Sequence, residues 1–187
     1  MTALLRFEGV ACVRGGRTLF EGLDLALEPG EALLVTGPNG CGKSSLLRLA
    51  AGLLRPTSGT VASDEAALAD DALALDSEVP LRRALGFWAS LDGTSPGDAI
   101  ETMGLAPLAD VPVRFLSTGQ ARRARLARVM ASGAPLWLLD EPANGLDSDG
   151  LGRLDRAIAD HRKAGGAVVA ASHGMPVGEW RKLDLAP

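Results

Sequence analysis

Lysine is scarce in this chain of 187 residues. Three lysines stand beside sixteen arginines, and 23 acidic residues bring the formal net charge to −4. No large basic excess exists to neutralise phosphates, which argues against a nucleic-acid-binding surface. Four arginines do cluster at 122, 123, 125 and 128, but the preference for arginine over lysine reads as a compositional bias. Cysteine is nearly absent: Cys12 and Cys41 stand alone, make no disulfide framework and fit a reducing cytoplasm. Two histidines with two cysteines cannot build a metal site at any familiar spacing, so a metal is expected only if a ligand carries it in. Long hydrophobic runs are missing as well. None approaches the roughly 20 residues that a membrane span needs, and Met1 to Val10 lacks the apolar centre of a secretory leader. If the chain serves a membrane, another chain is expected to do the crossing. Glutamine occurs once, at Gln120.

What the sequence does contain is organised around Gly37-Pro38-Asn39-Gly40-Cys41-Gly42-Lys43-Ser44. This stretch lies between an apolar run, Ala32 to Val35, and a helix-like segment that begins at Ser45. A buried strand ends there, the chain turns on glycines, and a helix starts with unpaired backbone N–H groups aimed at one spot. Such a spot attracts an anion. Gly37, Gly40 and Gly42 let the backbone wrap a triphosphate, Lys43 places a point charge near its outer phosphates, and the Ser44 hydroxyl can ligate Mg²⁺. The length suits one α/β domain and is too short for two nucleotide domains in tandem.

In chain order, residues 3 to 28 alternate and turn like a small antiparallel β layer, with Gly15-Gly16 at a turn. Ala32 to Thr36 reads as the central strand, and Thr60 to Ala62 as an edge strand. Residues 64 to 110, rich in alanine, leucine and aspartate, are expected to be mostly helix, with Leu81 to Leu91 and Asp98 to Met103 as its clearest pieces. Phe87 and Trp88 read as core residues, a stacking role being the alternative. Ser117 is a good N-cap for a helix running to about Ala131, its arginines mostly on outward faces. Leu136 to Asp140 is a short buried strand that ends in Asp140, Glu141 and Pro142. Acids at that edge of a parallel sheet face its ligand, so Asp140 is expected in the Mg²⁺ shell and Glu141 beside an attacking water. A turn at Asn144 to Asp147, a helix at Leu151 to Lys163 and a buried strand at Ala167 to Ala171 follow, and His173, just beyond that strand, can reach a terminal phosphate.

With these pieces in order the chain resembles an ATP-binding cassette (ABC) ATPase domain over nearly all of its length except 64 to 110. The residues that carry the likeness are the phosphate loop, LSTGQ at 116–120, LWLLDEP at 136–142, NGLD at 144–147 and SH at 172–173. The resemblance implies an α/β phosphate-loop NTPase fold with a mostly parallel core sheet, an N-terminal antiparallel β layer and a short helical subdomain. A single domain over 1–187 is expected, with that subdomain at approximately 64–131. Within the family the likeness is nearest to the ATP-binding subunit of the haem exporter of cytochrome c maturation. It rests on Arg17 to Phe20, Leu46 to Leu49 with Gly52-Leu53 and Arg55-Pro56, Pro112-Val113 and Ala134 to Trp137.

That likeness implies ATP and Mg²⁺ as ligands, a head-to-tail dimer, and an integral membrane permease subunit, CcmB-like, at the cytoplasmic face of the bacterial inner membrane. Residues 37–45 would hold ATP, with Ser45 completing the set. Glu141 would be the general base, His173 the γ-phosphate sensor, and Asp147 the acid of the loop after the strand. Ser117, Thr118, Gly119 and Gln120 would act in trans. Two departures stand out: the family's glutamine between phosphate loop and signature is missing, with Asp76 as its stand-in near Mg²⁺, and Arg14 takes the place of the adenine-stacking aromatic. An exporter of another small molecule, a soluble ABC switch and a module that binds ATP but barely turns it over are the competing functions.

Overall fold

The computed structural model describes residues 3–70, 75–172 and 178–185. Strands β1 (Leu5–Arg14) and β2 (Arg17–Leu27) fold back on each other through Gly15-Gly16, both at positive φ, and β4 (Ser58–Ser63) pairs antiparallel with the other edge of β1. The expected antiparallel layer and edge strand are therefore present. The core sheet is parallel, in the order β5-β6-β7-β3-β8, built from β3 (Ala32–Thr36), β5 (Ala66–Ala69), β6 (Leu136–Asp140), β7 (Ala167–Ala171) and β8 (Arg181–Asp184). β3 lies inside the sheet, although the middle position belongs to β7. Helices α1 (Lys43–Ala50), α2 (Leu81–Leu91), α3 (Gly97–Thr102), α4 (Thr118–Ala131) and α5 (Ser148–Lys163) connect and cover the strands.

Strand alternation divides the interior in two, because successive side chains point to opposite faces of a sheet. Leu34, Trp137, Leu139, Val168 and Ala170 join a core formed with α2, α3, α4 and α5. Leu33, Val35, Leu136, Leu138, Val169 and Ala171 face the other way, against Leu46 and Leu47 of α1 and Leu5, Phe7 and Val10 of β1. Both faces of the sheet are covered over β6, β7 and β3, which is why these strands read as apolar runs, while β8 at the edge does not.

Two expectations need correction. Among the described residues the stretch from 64 to 110 is helical only from Leu81 onward: Ala66–Ala69 is a strand paired with β6, where sheet pairing and burial of Ala67 and Ala69 overrule alanine's preference for helix. Phe87 is not a core residue. It is 59% exposed on α2 and meets only the edge of Trp88 among the described rings, while half-buried Trp88 carries the Arg128 guanidinium 4.8 Å from its ring centre.

At the amino-terminal edge of the sheet the His161 ring stacks on Trp137 with centroids 3.8 Å apart, and its Nε2–H donates to the Pro135 carbonyl at 3.1 Å. A Cβ at Gly166 would lie 2.2 Å from His161 Nε2, so the ring's seat requires glycine there. Burial pushes the His161 pKa below its ordinary 6.5, against the upward pull of hydrogen bonds to the Pro135 and Ala167 backbone. The unfolded chain therefore binds a proton at this site before the folded chain does. The neutral ring's contribution is complete above 6.5 and is lost as pH falls below it, until the folded ring itself takes the proton. We expect a slope of up to about 1.4 kcal/mol per pH unit in that window. Urea unfolding at pH 7.5 and 5.5 should show the stability gap between wild type and His161→Phe shrinking at the lower pH; a constant gap would contradict it.

Candidate nucleotide site

β3 ends at Thr36 and the chain reverses through Gly37 (φ 136), Gly40 (φ 79) and Gly42 (φ 115) before α1 begins at Lys43. These angles explain the glycines, since L side chains rarely adopt them. Gly42 is also tightly seated: a Cβ there would lie 3.1 Å from Leu19 Cβ and Phe20 Cδ1, which would have to give way. Gly37 is closed off in the same way by Cys41 Sγ at 2.7 Å, so Cys41, buried, backs the loop from the protein side. Lys43 Nζ donates to the carbonyls of Gly37 (2.8 Å) and Pro38 (3.3 Å), holding the loop curled over its own helix start.

The loop borders an open cavity of about 410 Å³ at the carboxyl edge of the parallel sheet. Asn39, Gly40, Gly42, Lys43, Ser44 and Ser45 line one side, Asp140 and Glu141 another, and Arg14 from the end of β1 a third. The structure thus brings together most of the sequence candidates, while Gly37, Pro38 and Cys41 belong to the same loop without lining the cavity. Leu19 of β2 also lines the cavity; its only signal in the sequence is its place in Arg17 to Phe20, ahead of the phosphate loop.

Asp140 closes β6, and Glu141 follows at φ 47, the one non-glycine residue with positive φ among those described. Its N–H donates to the Ala171 carbonyl (2.8 Å), and its carboxylate lies 3.5 Å from the Ser172 hydroxyl. Ser172 N–H in turn donates to Val35 at 3.2 Å, tying the ends of β3 and β7 beside the cavity. His173 lies outside the described residues.

Asp76 does not line the cavity. Its carboxylate accepts from Glu78 N–H at 3.0 Å in the turn before α2. The strand that reaches the carboxyl edge is β5, ending at Ala69, so the residue directly after it is Asp70, whose carboxylate lies 3.3 Å from Arg48 Nη2 on α1. Asp70, six residues before the expected stand-in, is the acid at the end of this strand.

The signature forms the start of α4. Ser117 Oγ accepts from Gln120 N–H (3.3 Å) while Gln120 Oε1 accepts from Ser117 N–H (2.9 Å), a reciprocal cap. Ser117 and Thr118 are exposed, and no residue from 117 to 120 lines the cavity of its own chain. A Cβ at Gly119 would lie 3.0 Å from the Gly145 carbonyl, so this helix start presses on the turn after β6. Asp147, in that turn, caps α5 by accepting from Gly150 N–H at 2.8 Å. The capping role was not visible in the sequence reading, which began α5 three residues later than its first residue, Ser148.

Comparison with known proteins bears on the whole chain. A family model described as ABC transporter matches residues 20–144. The cytochrome c biogenesis ATP-binding export protein CcmA of Sphingopyxis alaskensis is 62% identical over 92% of this chain and 91% of its own length. The protein of the same name from Novosphingobium aromaticivorans is 56% identical over 95% and 92%. The fold matches the solved ATP binding subunit of an ABC transporter with TM-score 0.83 at 19% identity, covering 91% of this chain and 79% of that one. It also matches the ADP conformation of an ATP-binding cassette of an ABC transporter, TM-score 0.77 at 18% identity, covering 94% and 83%. The antiparallel layer, the parallel sheet and the phosphate loop between strand and helix are thus shared with proteins of a single kind, and the chain belongs to the ABC transporter family.

Proposed function

We propose that this chain is the ATP-binding, ATP-hydrolysing subunit of an exporter complex that serves cytochrome c maturation, with haem as the exported compound. The observation that carries the reading is the division of the site: phosphate loop, Asp140 and Glu141 line one cavity, while Ser117 to Gln120 of the same chain lie outside it, with Ser117 and Thr118 exposed. A second copy, turned head to tail, would bring its exposed helix start to the open side of that cavity. Backbone N–H groups at the two helix starts, α1 and the partner's α4, would then meet the phosphates from opposite sides. Ser44 and Asp140 both line the cavity with hard oxygen donors, which suit Mg²⁺ carried in with ATP and able to screen its outer phosphates.

In this arrangement Lys43 binds the β and γ phosphates, Arg14 lays its guanidinium plane against the base, and Glu141 orients the attacking water. Residues 1–187 act as one ATP-binding domain. No helix among the described residues is long and apolar enough to cross a membrane, so the transport path would belong to an integral permease subunit, CcmB-like, with this chain peripheral to it at the inner membrane.

The test is genetic and chemical at once. In a strain whose only copy carries Glu141→Gln, covalently bound haem in c-type cytochromes should fall to background while other haem proteins keep theirs. Normal c-type cytochromes in that strain would assign the chain to another cargo.

A further inference from the structure

We infer that Arg122 is a positioning residue for hydrolysis, acting on the backbone of Glu141. The inference rests on the reading of Glu141 as the group that orients water. On sequence, the arginines of α4 belong mostly on outward faces. Arg122 instead is 8% exposed and reaches from the signature helix to the end of β6. Its Nη2 donates to the Asp140 carbonyl at 2.7 Å and to the Glu141 carbonyl.

Those two carbonyls flank the turn on which the site depends. Glu141 sits in the left-handed region, which a non-glycine residue occupies only when its surroundings hold it there. Its N–H is fixed to Ala171, and its carbonyl receives Asn144 N–H at 3.1 Å together with the Arg122 guanidinium. A charged donor makes the stronger kind of hydrogen bond, so Arg122 is the firmest of these anchors. Losing it frees the Asp140–Glu141 peptide to relax toward ordinary φ and carries the carboxylate off its position beside Ser172.

A displacement of this sort, of about 1 Å, costs on the order of 10²-fold in rate when the moved group acts directly on the reacting atoms. Because Arg122 lies one turn into the helix that starts with Ser117 to Gln120, a shift of that helix start is also passed to Glu141 of the same chain. The signature would thereby set the water-orienting group of its own subunit through a single side chain.

The experiment measures ATP turnover and ATP affinity of the full chain. Arg122→Met should lower kcat by roughly 10- to 100-fold while KM and ATP Kd stay within about twofold. Arg122→Lys, which restores one charged donor, should recover a large part of the loss. In a Glu141→Gln background Arg122→Met should reduce the residual rate no further. Should the methionine variant fail to fold, Arg122→Gln takes its place with the same expectation. An unchanged kcat, a rise in KM alone, or an equal further drop in the Glu141→Gln background would overturn the role of Arg122. Wild-type turnover in Glu141→Gln by itself would remove Glu141 instead, so the two failures are told apart.

Discussion

Glu141→Gln should bind ATP as the wild type does and hydrolyse it about 10²- to 10⁴-fold more slowly. Glutamine keeps the size of the side chain and its reach toward Ser172, and the backbone anchors at Ala171 and Asn144 do not involve the carboxylate. Only the negative charge, which in the proposed role polarises water, is lost. Asp140 and Ser44 still line the cavity, so the magnesium-bound nucleotide should enter normally. With hydrolysis blocked, the closed pair of subunits should persist, and size-exclusion chromatography with ATP and Mg²⁺ should show a dimer that the wild type holds only transiently. Turnover near the wild-type rate would move the catalytic role elsewhere on the cavity wall.

Lys43→Ala should act earlier, on binding itself. Lys43 is 7% exposed, and its ammonium already sits among the loop carbonyls of Gly37 and Pro38. Removing a buried, hydrogen-bonded charge from opposite a phosphate costs about 2–4 kcal/mol, so the Kd for ATP should rise roughly 30- to 1000-fold in calorimetric titration. Only a small loss of fold stability should accompany it, because the carbonyl of exposed Pro38 can turn to water. Affinity within threefold of wild type would contradict the phosphate assignment.

Most of the site was legible because its elements are local. The phosphate loop, the signature cap and the strand that ends in Asp140 each compress a strand or helix boundary, a turn and a reactive side chain into a few consecutive residues. What stayed hidden depends on distant pairing. β8 reads Arg-Lys-Leu-Asp, with no apolar run, and is a strand only because β3 offers it an edge. β5 is four residues of alanine and leucine that look helical until β6 is placed beside them. With β5 unseen in the sequence, Asp76 reads as the acid near Mg²⁺, whereas it lies in the turn before α2 and Asp70 is the residue that follows the strand. Arg122 was passed over for a different reason: an arginine among arginines on a helix reads as solvated, and nothing in its neighbours reveals two carbonyls waiting at the end of another element.

The near-contact between Gly119 and the Gly145 carbonyl bears on how damage at the signature is to be understood. A methyl group at 119 would press on that carbonyl, and the helix start or its neighbouring turn would have to give by a few tenths of an ångström before any nucleotide arrives. An inactive Gly119→Ala chain would thus report lost fit between two segments of one subunit, whatever that glycine does for a facing copy. A change that spares the turn, at exposed Ser117 or Thr118, keeps the two effects apart.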